Sequence, residues 1–263
     1  MPMMVSQGRP VVSATANILL LGGTTEASAL ARALAGRDLA ATLSYAGRTG
    51  QPRAQPVPTR IGGFGGISGL VAYLRAEGIT HLIDATHPFA AQMRAHAAAA
   101  AKETGVAHIL LTRPAWTAGK GDRWEHVPDI DAAIASLAGP PRRIMLAVGR
   151  MHAERFAAQG QHHYLLRFVD PPEVPPALPH HTLVVDRGPF TVDGDTRLMR
   201  EHAIDMLLCK NAGGSGAAAK LAAARRLSLP VRMIDRPVQP DVAVAHDVAQ
   251  VLAWLDHAEE RGV

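Results

Sequence analysis

Two glycines, two threonines and a glutamate in succession give this chain its clearest candidate for ligand chemistry. Glycine lets the backbone turn sharply and approach a ligand closely, and the first N–H groups of a following helix attract a phosphate. The residues predicted to contact cofactor phosphates are Gly22, Gly23, Thr24, Thr25 and Glu26. The alternative is a plain tight turn, because the next glycine is Gly36 and the third glycine of the dinucleotide fingerprint is missing.

The residues about 20 positions beyond these glycines indicate which nucleotide is bound. A chain that binds NAD usually carries Asp or Glu there, to hold the ribose hydroxyls. This sequence has Ser44, Tyr45 and Arg48 instead. A guanidinium suits a 2′-phosphate, so the sequence predicts NADPH, with Arg48 as the main phosphate partner. The alternative is that Arg48 is an ordinary solvated loop arginine.

Two further segments of the first half carry candidate cofactor contacts. Residues 62–66 include four glycines, and Gly62 and Gly63 are predicted to lie close to the cofactor, unless the segment is a mobile surface turn. Thr86 and His87 follow an apolar strand, where a side chain can meet a nicotinamide. Helix capping by the same two residues is the simpler alternative.

The second half offers two loops suited to an anionic substrate. Arg187 follows one apolar strand, and Lys210 ends another, just before a glycine-rich turn and a helix. A lysine, an amide, glycines and a helix N-terminus together bind carboxylate or phosphate well. The residues predicted to form this anion-binding face are Arg187, Lys210, Asn211, Gly213 and Gly214.

These residues need a scaffold that brings the ends of several strands together. Short apolar strands alternate with helical segments along the chain, which is typical of parallel sheets. The predicted strands lie near 18–21, 40–44, 79–83, 106–111, 143–148, 163–169, 182–186, 204–209 and 230–235, and the predicted helices near 26–35, 68–77, 88–104, 151–159, 193–202, 215–227 and 245–259. The predicted fold is α/β, with two Rossmann-like parallel-sheet domains and the active site in the cleft between them.

The division into domains is predicted from a proline-rich segment. Gly139 is followed by two prolines, which stop a helix and cannot enter a central strand. The expected organisation is a disordered leader over 1–16, an NADPH-binding domain over 17–139 and a substrate-binding domain over 140–263.

Composition narrows the class of protein and of ligand. Hydrophobic residues make up 48% and charged residues 19%, as in a globular protein. No apolar run is long enough to span a membrane, and residues 1–16 lack the continuous apolar region of a signal peptide. A cytoplasmic protein without a membrane anchor is therefore expected. The net charge of +4 favours small anionic ligands. Only 4% of the residues are aromatic and there is no run of basic residues, which argues against binding of nucleic acid. With Cys209 as the single cysteine and no HExxH motif, no metal is expected. The sequence leaves the oligomeric state open.

Five short segments occur together in the order found in one enzyme family. They are residues 22–26, 84–90, 187–190, 210–214 and 233–237. Each is weak alone, but the ordered set resembles the precorrin-6A reductases of cobalamin biosynthesis, over roughly residues 17–255. One departure is Ala212, where the family often carries serine; the backbone anion site remains, without that hydroxyl.

The resemblance implies an NADPH-dependent reduction of one carbon–carbon double bond of precorrin-6A, giving precorrin-6B. The substrate is an anionic tetrapyrrole with many acetate and propionate groups, which agrees with the Arg187 and Lys210 loops. His87 and Lys210 are the candidate catalytic residues, as donors of a proton, with solvent as the third candidate. Two alternatives stay open: a cobalt-precorrin-6A reductase, which belongs to the same family, and a protein that senses NADPH without turning it over.

Overall fold

The computed structural model describes residues 16–37, 39–46 and 54–260. In chain order the strands are β1 (Asn17–Leu21), β2 (Ala40–Tyr45), β3 (Thr59–Ile61), β4 (His81–Asp84), β5 (Ala107–Leu111), β6 (Trp124–Val127), β7 (Arg143–Ala147), β8 (His163–Phe168), β9 (His181–Val185), β10 (Met206–Lys210), β11 (Val231–Ile234) and β12 (Ala243–Ala245). The helices are α1 (Thr25–Ala35), α2 (Gly66–Ala76), α3 (Ala91–Thr104), α4 (Ile130–Ala135), α5 (Arg150–Ala153), α6 (Val192–Glu201), α7 (Ala219–Arg226) and α8 (Val248–Glu260), with a 3₁₀ helix over Glu154–Gln159.

The strands form two six-stranded parallel sheets. The first sheet has the order β12-β5-β4-β1-β2-β3 and the second the order β6-β11-β10-β7-β8-β9. In the first sheet the chain starts in the middle at β1, proceeds through β2 and β3 to one edge, and then through β4, β5 and β12 to the other. In the second sheet it enters at the edge strand β6, passes to β7 in the middle, continues through β8 and β9 to the opposite edge, and then adds β10 and β11 between β7 and β6. Ligands of such sheets bind beyond the carboxyl ends of the strands at this change of direction. The predicted α/β fold with two Rossmann-like parallel sheets is confirmed.

Both faces of each sheet are covered by helices, so the strands are apolar throughout rather than alternating. In β1, Ile18 and Leu20 pack on the side of α1 and α8, while Leu19 and Leu21 pack on the side of α2 and α3. These four side chains are at most 2% exposed. The burial of both faces makes β1 rigid and fixes the position of the loop that follows it.

Helix α1 shows why the glycine segment lies where it does. Its buried residues, Ala27, Leu30, Ala31 and Leu34, recur at the spacing of one helical face. Thr24 caps the helix, because its side chain accepts a hydrogen bond from the N–H of Ala27. The N-terminus of α1 is therefore held at the carboxyl edge of the first sheet.

The nine predicted strands are present, but three strands and one helix were missed. Strand β3 directly precedes the glycine segment of residues 62–66, and β6 has only one buried residue, Val127. Strand β12 is three residues long with two of them exposed, and α4 is a six-residue helix. Short edge elements have too few apolar residues for a clear periodic signal.

The predicted division at 139–140 does not follow the membership of the two sheets. The chain passes from the first sheet to the second between β5 and β6, and it returns to the first at β12, so α8 packs on the first sheet. The Gly-Pro-Pro segment instead connects α4 to β7, within the part of the chain that builds the second sheet. A proline-rich connection stops a helix equally well inside a domain as between domains, so this segment alone does not set a boundary.

In the part of the chain that the structure describes, no helix is long and apolar enough to cross a membrane.

Candidate active site

The glycine segment is anchored to both neighbours of β1. The N–H of Gly22 donates to the carbonyl of Ser44 at the end of β2, at 2.9 Å. The hydroxyl of Thr24 donates to the carbonyl of Ala85 beyond β4, at 2.8 Å. Gly23 lies between these anchors with φ of +118°, a conformation that side-chain-bearing residues rarely adopt. The turn therefore places the N-terminus of α1 at the change of direction of the sheet.

An arginine that the sequence analysis missed lies beside the end of β2. Arg60, on β3, donates to the hydroxyl of Ser44 at 2.8 Å and to the carbonyls of Gly62 and Gly63 at 3.0 and 3.2 Å. Its guanidinium lies 3.9 Å from the ring centroid of Phe64. Ser44, Gly62 and Gly63, predicted separately, are thus brought together around one rigid guanidinium.

The other two residues predicted for this region give less information. Tyr45 ends β2, and its carbonyl accepts a hydrogen bond from the N–H of Gly62 at 2.9 Å. Arg48 lies outside the described residues. Arg60 could have been found from the sequence if Thr59–Ile61 had been recognised as a strand, since it would then end beside Ser44.

The loop after β4 is fixed by a buried polar network. Asp84 accepts hydrogen bonds from the N–H of Thr86 at 2.9 Å and from its hydroxyl at 2.7 Å. Arg94, which is 1% exposed, donates to the carbonyl of Thr86 at 2.9 Å. The Thr86 hydroxyl is therefore committed to Asp84. The N–H and the carbonyl of Thr86 take part in the same network, so the contact of Thr86 with a cofactor stays a prediction.

His87 follows in an environment that keeps its ring neutral. Its Nδ1 accepts a hydrogen bond from the N–H of Phe89 at 3.2 Å, which leaves the proton of the neutral ring on Nε2. Burial lowers the pKa of His87 to about 4, helped by the charges of Arg113, Lys210, Arg94 and Arg236. We call these four cations the cationic cluster.

We expect the neutrality of His87 to appear in the pH dependence of stability. The unfolded chain binds a proton at His87 near its ordinary pKa of 6.5, but the folded protein does so only near about 4. The free energy of unfolding should therefore fall as the pH decreases from about 6.5 to about 4. A His87→Asn protein, which keeps an acceptor for Phe89, should lose less stability over this interval. Urea titrations of both proteins at several pH values measure the difference; equal pH dependence would contradict it.

The loop after β10 meets the loop after β4. The ammonium of Lys210 lies 5.1 Å from the ring centroid of Phe89. The carbonyl of Ala212 accepts hydrogen bonds from Arg113 Nε at 2.8 Å and from Arg236 at 3.1 Å. Two of the predicted site segments, one from each sheet, are thus in contact through the cationic cluster.

The remaining residues of the predicted anion-binding face take different positions. The side-chain amide of Asn211 is buried and holds the backbone of Trp116, accepting at 2.8 Å and donating at 3.0 Å. Gly213 and Gly214 have φ of +69° and +72° and pack tightly against the segment that follows β5. Arg187 forms an ion pair with Asp170 at 2.7 Å, beyond the ends of β8 and β9.

Arg94, Arg113 and Arg236 were all missed as site residues. Arg236 lies in the segment 233–237, which was noted only as a family motif. Arg113 lies two residues beyond the end of β5, so the rule that ligands collect at carboxyl ends could have found it. Arg94 lies on α3, and the sequence gives no signal that its side chain turns back to Thr86.

No metal centre is apparent among the described side chains: nowhere do three or more His, Cys, Asp or Glu residues gather to hold an ion. The two doubly wound sheets, the capped glycine turn and the cationic cluster define a two-sheet Rossmann-like protein whose site is suited to anions.

Comparisons with known proteins give the family. The sequence model described as "Precorrin-6x reductase CbiJ/CobK" matches residues 17–256. A precorrin-6A reductase from Rhodobacter capsulatus is 58% identical over 248 residues, covering 94% of this chain and 99% of the relative. A cobalt-precorrin-6A reductase from Priestia megaterium is 28% identical over 234 residues, covering 84% of this chain and 90% of the relative.

A solved structure, "CobK precorrin-6A reductase", has a TM-score of 0.88 and 57% sequence identity, covering 92% of this chain and 96% of that one. The chain belongs to the precorrin-6x reductase CbiJ/CobK family and is an oxidoreductase. The family resemblance indicated by the five sequence segments is confirmed. The alternative of a protein that senses NADPH without turning it over is not supported.

Proposed function

We propose that this protein reduces one carbon–carbon double bond of precorrin-6A with NADPH, giving precorrin-6B in the cobalamin pathway. The observation that carries the proposal is the contact between the Lys210 loop and the Thr86–Phe89 loop within the cationic cluster. Four cations beside a glycine turn suit a nucleotide and a substrate rich in carboxylates. The similarity to the precorrin-6A reductase of Rhodobacter capsulatus supports the choice of macrocycle.

The described residues fit a dinucleotide at the first sheet. The N-terminus of α1, capped by Thr24, would hold the diphosphate, and Gly23 leaves open space where a side chain would otherwise project. Ser44 and Arg60 at the ends of β2 and β3 would face the adenosine ribose, where an arginine accommodates a 2′-phosphate. When bound, NADPH supplies the hydride.

The protein's own contribution is to orient the macrocycle and let a proton reach the carbon next to the reduced one. His87 is neutral near pH 7, and a neutral imidazole is a poor donor of a proton. Lys210, at the contact between the two sheets, is better placed to hold a substrate carboxylate and to supply or relay the proton. We therefore assign the carboxylate and the proton to Lys210 and water, with His87 as a hydrogen-bonding neighbour.

The metal-free substrate is favoured over the cobalt-bearing one by the difference in similarity. The relative named for precorrin-6A is 58% identical, whereas that named for cobalt-precorrin-6A is 28% identical. Both substrates carry the same carboxylates, so the cationic cluster alone does not distinguish them.

The direct test is the oxidation of NADPH by the purified protein when precorrin-6A is added without oxygen. We expect loss of NADPH absorbance and a product heavier by two hydrogens. A parallel reaction with cobalt-precorrin-6A compares the two substrates through kcat/KM. If neither tetrapyrrole causes NADPH oxidation, the proposed function is wrong.

Cofactor choice gives a second test, on Arg48. Arg48→Ala should weaken NADPH much more than NADH, by about 1.5–3 kcal/mol, because the sequence predicts Arg48 as the main partner of the 2′-phosphate, which only NADPH carries. Calorimetric titration with both cofactors measures the effect, and Arg37→Ala, which removes an exposed arginine paired with Asp256, is the control. Equal weakening of both cofactors would show that Arg48 does not read the phosphate and would direct attention to Arg60.

The role of Lys210 is tested by Lys210→Ala. Loss of one carboxylate contact among many should raise the KM for the tetrapyrrole about tenfold, near 1.4 kcal/mol, with little change in NADPH affinity. If Lys210 also delivers the proton, kcat should fall and its solvent deuterium effect should change. Wild-type substrate kinetics with impaired NADPH binding would reverse the assignment of the two loops.

A further inference from the structure

The segment between β5 and β6 connects the two sheets, and Arg113 lies near its start. The side chain of Arg113 is 15% exposed and makes contacts in two directions. Its NH1 donates to Glu26 in the first turn of α1 at 2.6 Å, and its Nε donates to the carbonyl of Ala212 at 2.8 Å. One planar guanidinium therefore joins the glycine turn of the first sheet to the Lys210 loop of the second.

The contact with Glu26 is charged and partly buried. The side chain of Glu26 is 24% exposed, and its carboxylate also accepts from the hydroxyl of Thr25 at 3.0 Å. Burial alone would raise the pKa of Glu26, but its own backbone N–H, the charge of Arg113 and the Thr25 hydroxyl together lower it. The carboxylate is thus held ionised beside the helix N-terminus, where Arg113 balances it.

The contact with the Lys210 loop is both polar and steric. A side chain on Gly214 would overlap the Arg113 stem, so the loop backbone lies directly against it. The carbonyl of Arg113 in turn accepts a hydrogen bond from Arg236 at 2.8 Å, and Arg236 also donates to Asn211 and Ala212. The position of the loop therefore depends on the position of Arg113.

We propose that Arg113 is a positioning residue that makes the cofactor and the macrocycle bind cooperatively. The inference rests on the proposed function, because it needs one anion at the α1 N-terminus and another at the Lys210 loop. The cofactor anion beside Glu26 adds to the negative field that holds the Arg113 side chain in one conformation. Because the same guanidinium donates to the carbonyl of Ala212, an ordered Arg113 also holds that carbonyl in place. A loop already held in place binds the substrate at a smaller entropic cost, and the effect is reciprocal.

The experiment measures the affinity of NADP⁺ with and without saturating precorrin-6A. The oxidised cofactor has no hydride to give, so the ternary complex does not turn over. Calorimetric titration without oxygen gives the ratio of the two dissociation constants, the coupling factor. In the wild-type protein we expect precorrin-6A to tighten NADP⁺ binding about fivefold or more.

Two variants interrupt the bridge from opposite sides. Arg113→Lys keeps the charge but cannot hold Glu26 and Ala212 in one planar group. Glu26→Gln removes the charge that orders Arg113. Both should bring the coupling factor close to one while each ligand still binds alone. The matched control is Arg225→Lys, which alters an arginine hydrogen-bonded to Asp122 rather than to Glu26 or Ala212 and should keep the wild-type factor.

The outcomes separate this inference from the proposed function. If precorrin-6A does not bind the wild-type protein, the proposed function fails and the coupling with it. If both ligands bind but independently, or if both variants keep the wild-type coupling factor, only the role of Arg113 is overturned. Thermal unfolding of each variant checks that it is folded, and Glu26→Gln provides the test if Arg113→Lys does not fold.

Discussion

A Gly23→Val protein should fold and yet fail to bind NADPH. Gly23 has φ of +118°, which a β-branched residue avoids, and a side chain there would project into the open space in front of α1. The backbone strain should cost about 1–3 kcal/mol, less than the typical stability of a domain. The branched side chain would then occupy the position proposed for the diphosphate. We expect NADPH affinity to fall below detection in calorimetric titration, with a native circular dichroism spectrum.

The variant Gly36→Ala is the matched control for this experiment. Gly36 ends α1 without positive φ, and an added Cβ would make only ordinary contacts at 3.5 Å or more. It should bind NADPH like the wild-type protein. Gly23→Ala adds the strain with little bulk and should give an intermediate loss. Full NADPH affinity in folded Gly23→Val would move the phosphate site elsewhere, most plausibly to the glycines of residues 62–66.

The parts of the site that the sequence predicted are those determined by local structure. Thr24 could be recognised because a cap residue and the first apolar face of its helix are adjacent in the chain. Lys210 could be placed because an apolar strand precedes it and glycines follow it. In both cases the signal and the structure lie within a few residues, so one strand and one turn suffice for the argument.

The parts that the sequence did not predict depend on contacts between distant segments. Arg113 meets Ala212 across 99 positions, and Arg236 meets Arg113 across 123. Strand β12 forms the edge of the first sheet and β6 the edge of the second. Both are short strands with a weak periodic pattern of apolar residues, so the sequence does not show which of them joins which sheet. Such pairings are decided by packing over the whole molecule, and no local propensity encodes them.

The cationic cluster shows both sides of this distinction. Lys210 was predicted from its loop, whereas Arg94 reaches the site from a helix on which no local feature distinguishes it from a solvated arginine. Its burial follows from the carbonyl of Thr86 that it holds and from Gln239, to which it also donates. Buried arginines need such partners, but a sequence alone does not show which carbonyl will be in reach.

Gly213→Ala should lower kcat/KM for the tetrapyrrole by about a hundredfold or more, because the Lys210 loop would be displaced from its contacts. A Cβ at this position would overlap the backbone carbonyl of Pro114 and the guanidinium of Arg236, neither of which can move without disturbing Ala212. The φ of +69° at Gly213 adds a smaller cost for alanine. Steady-state kinetics with precorrin-6A measure the loss, and titration with NADP⁺ alone should show nearly wild-type affinity.

A matched control lies in the same turn. Gly216 has no positive φ, and an added Cβ would have nothing within 4 Å, so Gly216→Ala should keep wild-type kinetics. Comparing Gly213→Ala with Gly216→Ala separates the effect of the steric overlap at Gly213 from the effect of merely adding a methyl group to this segment. Because Gly213 belongs to the Lys210 loop rather than to the turn after β1, a large loss of binary NADP⁺ affinity would contradict the assignment of separate cofactor and substrate loops. Wild-type turnover in Gly213→Ala would show that the Lys210 loop does not position the macrocycle.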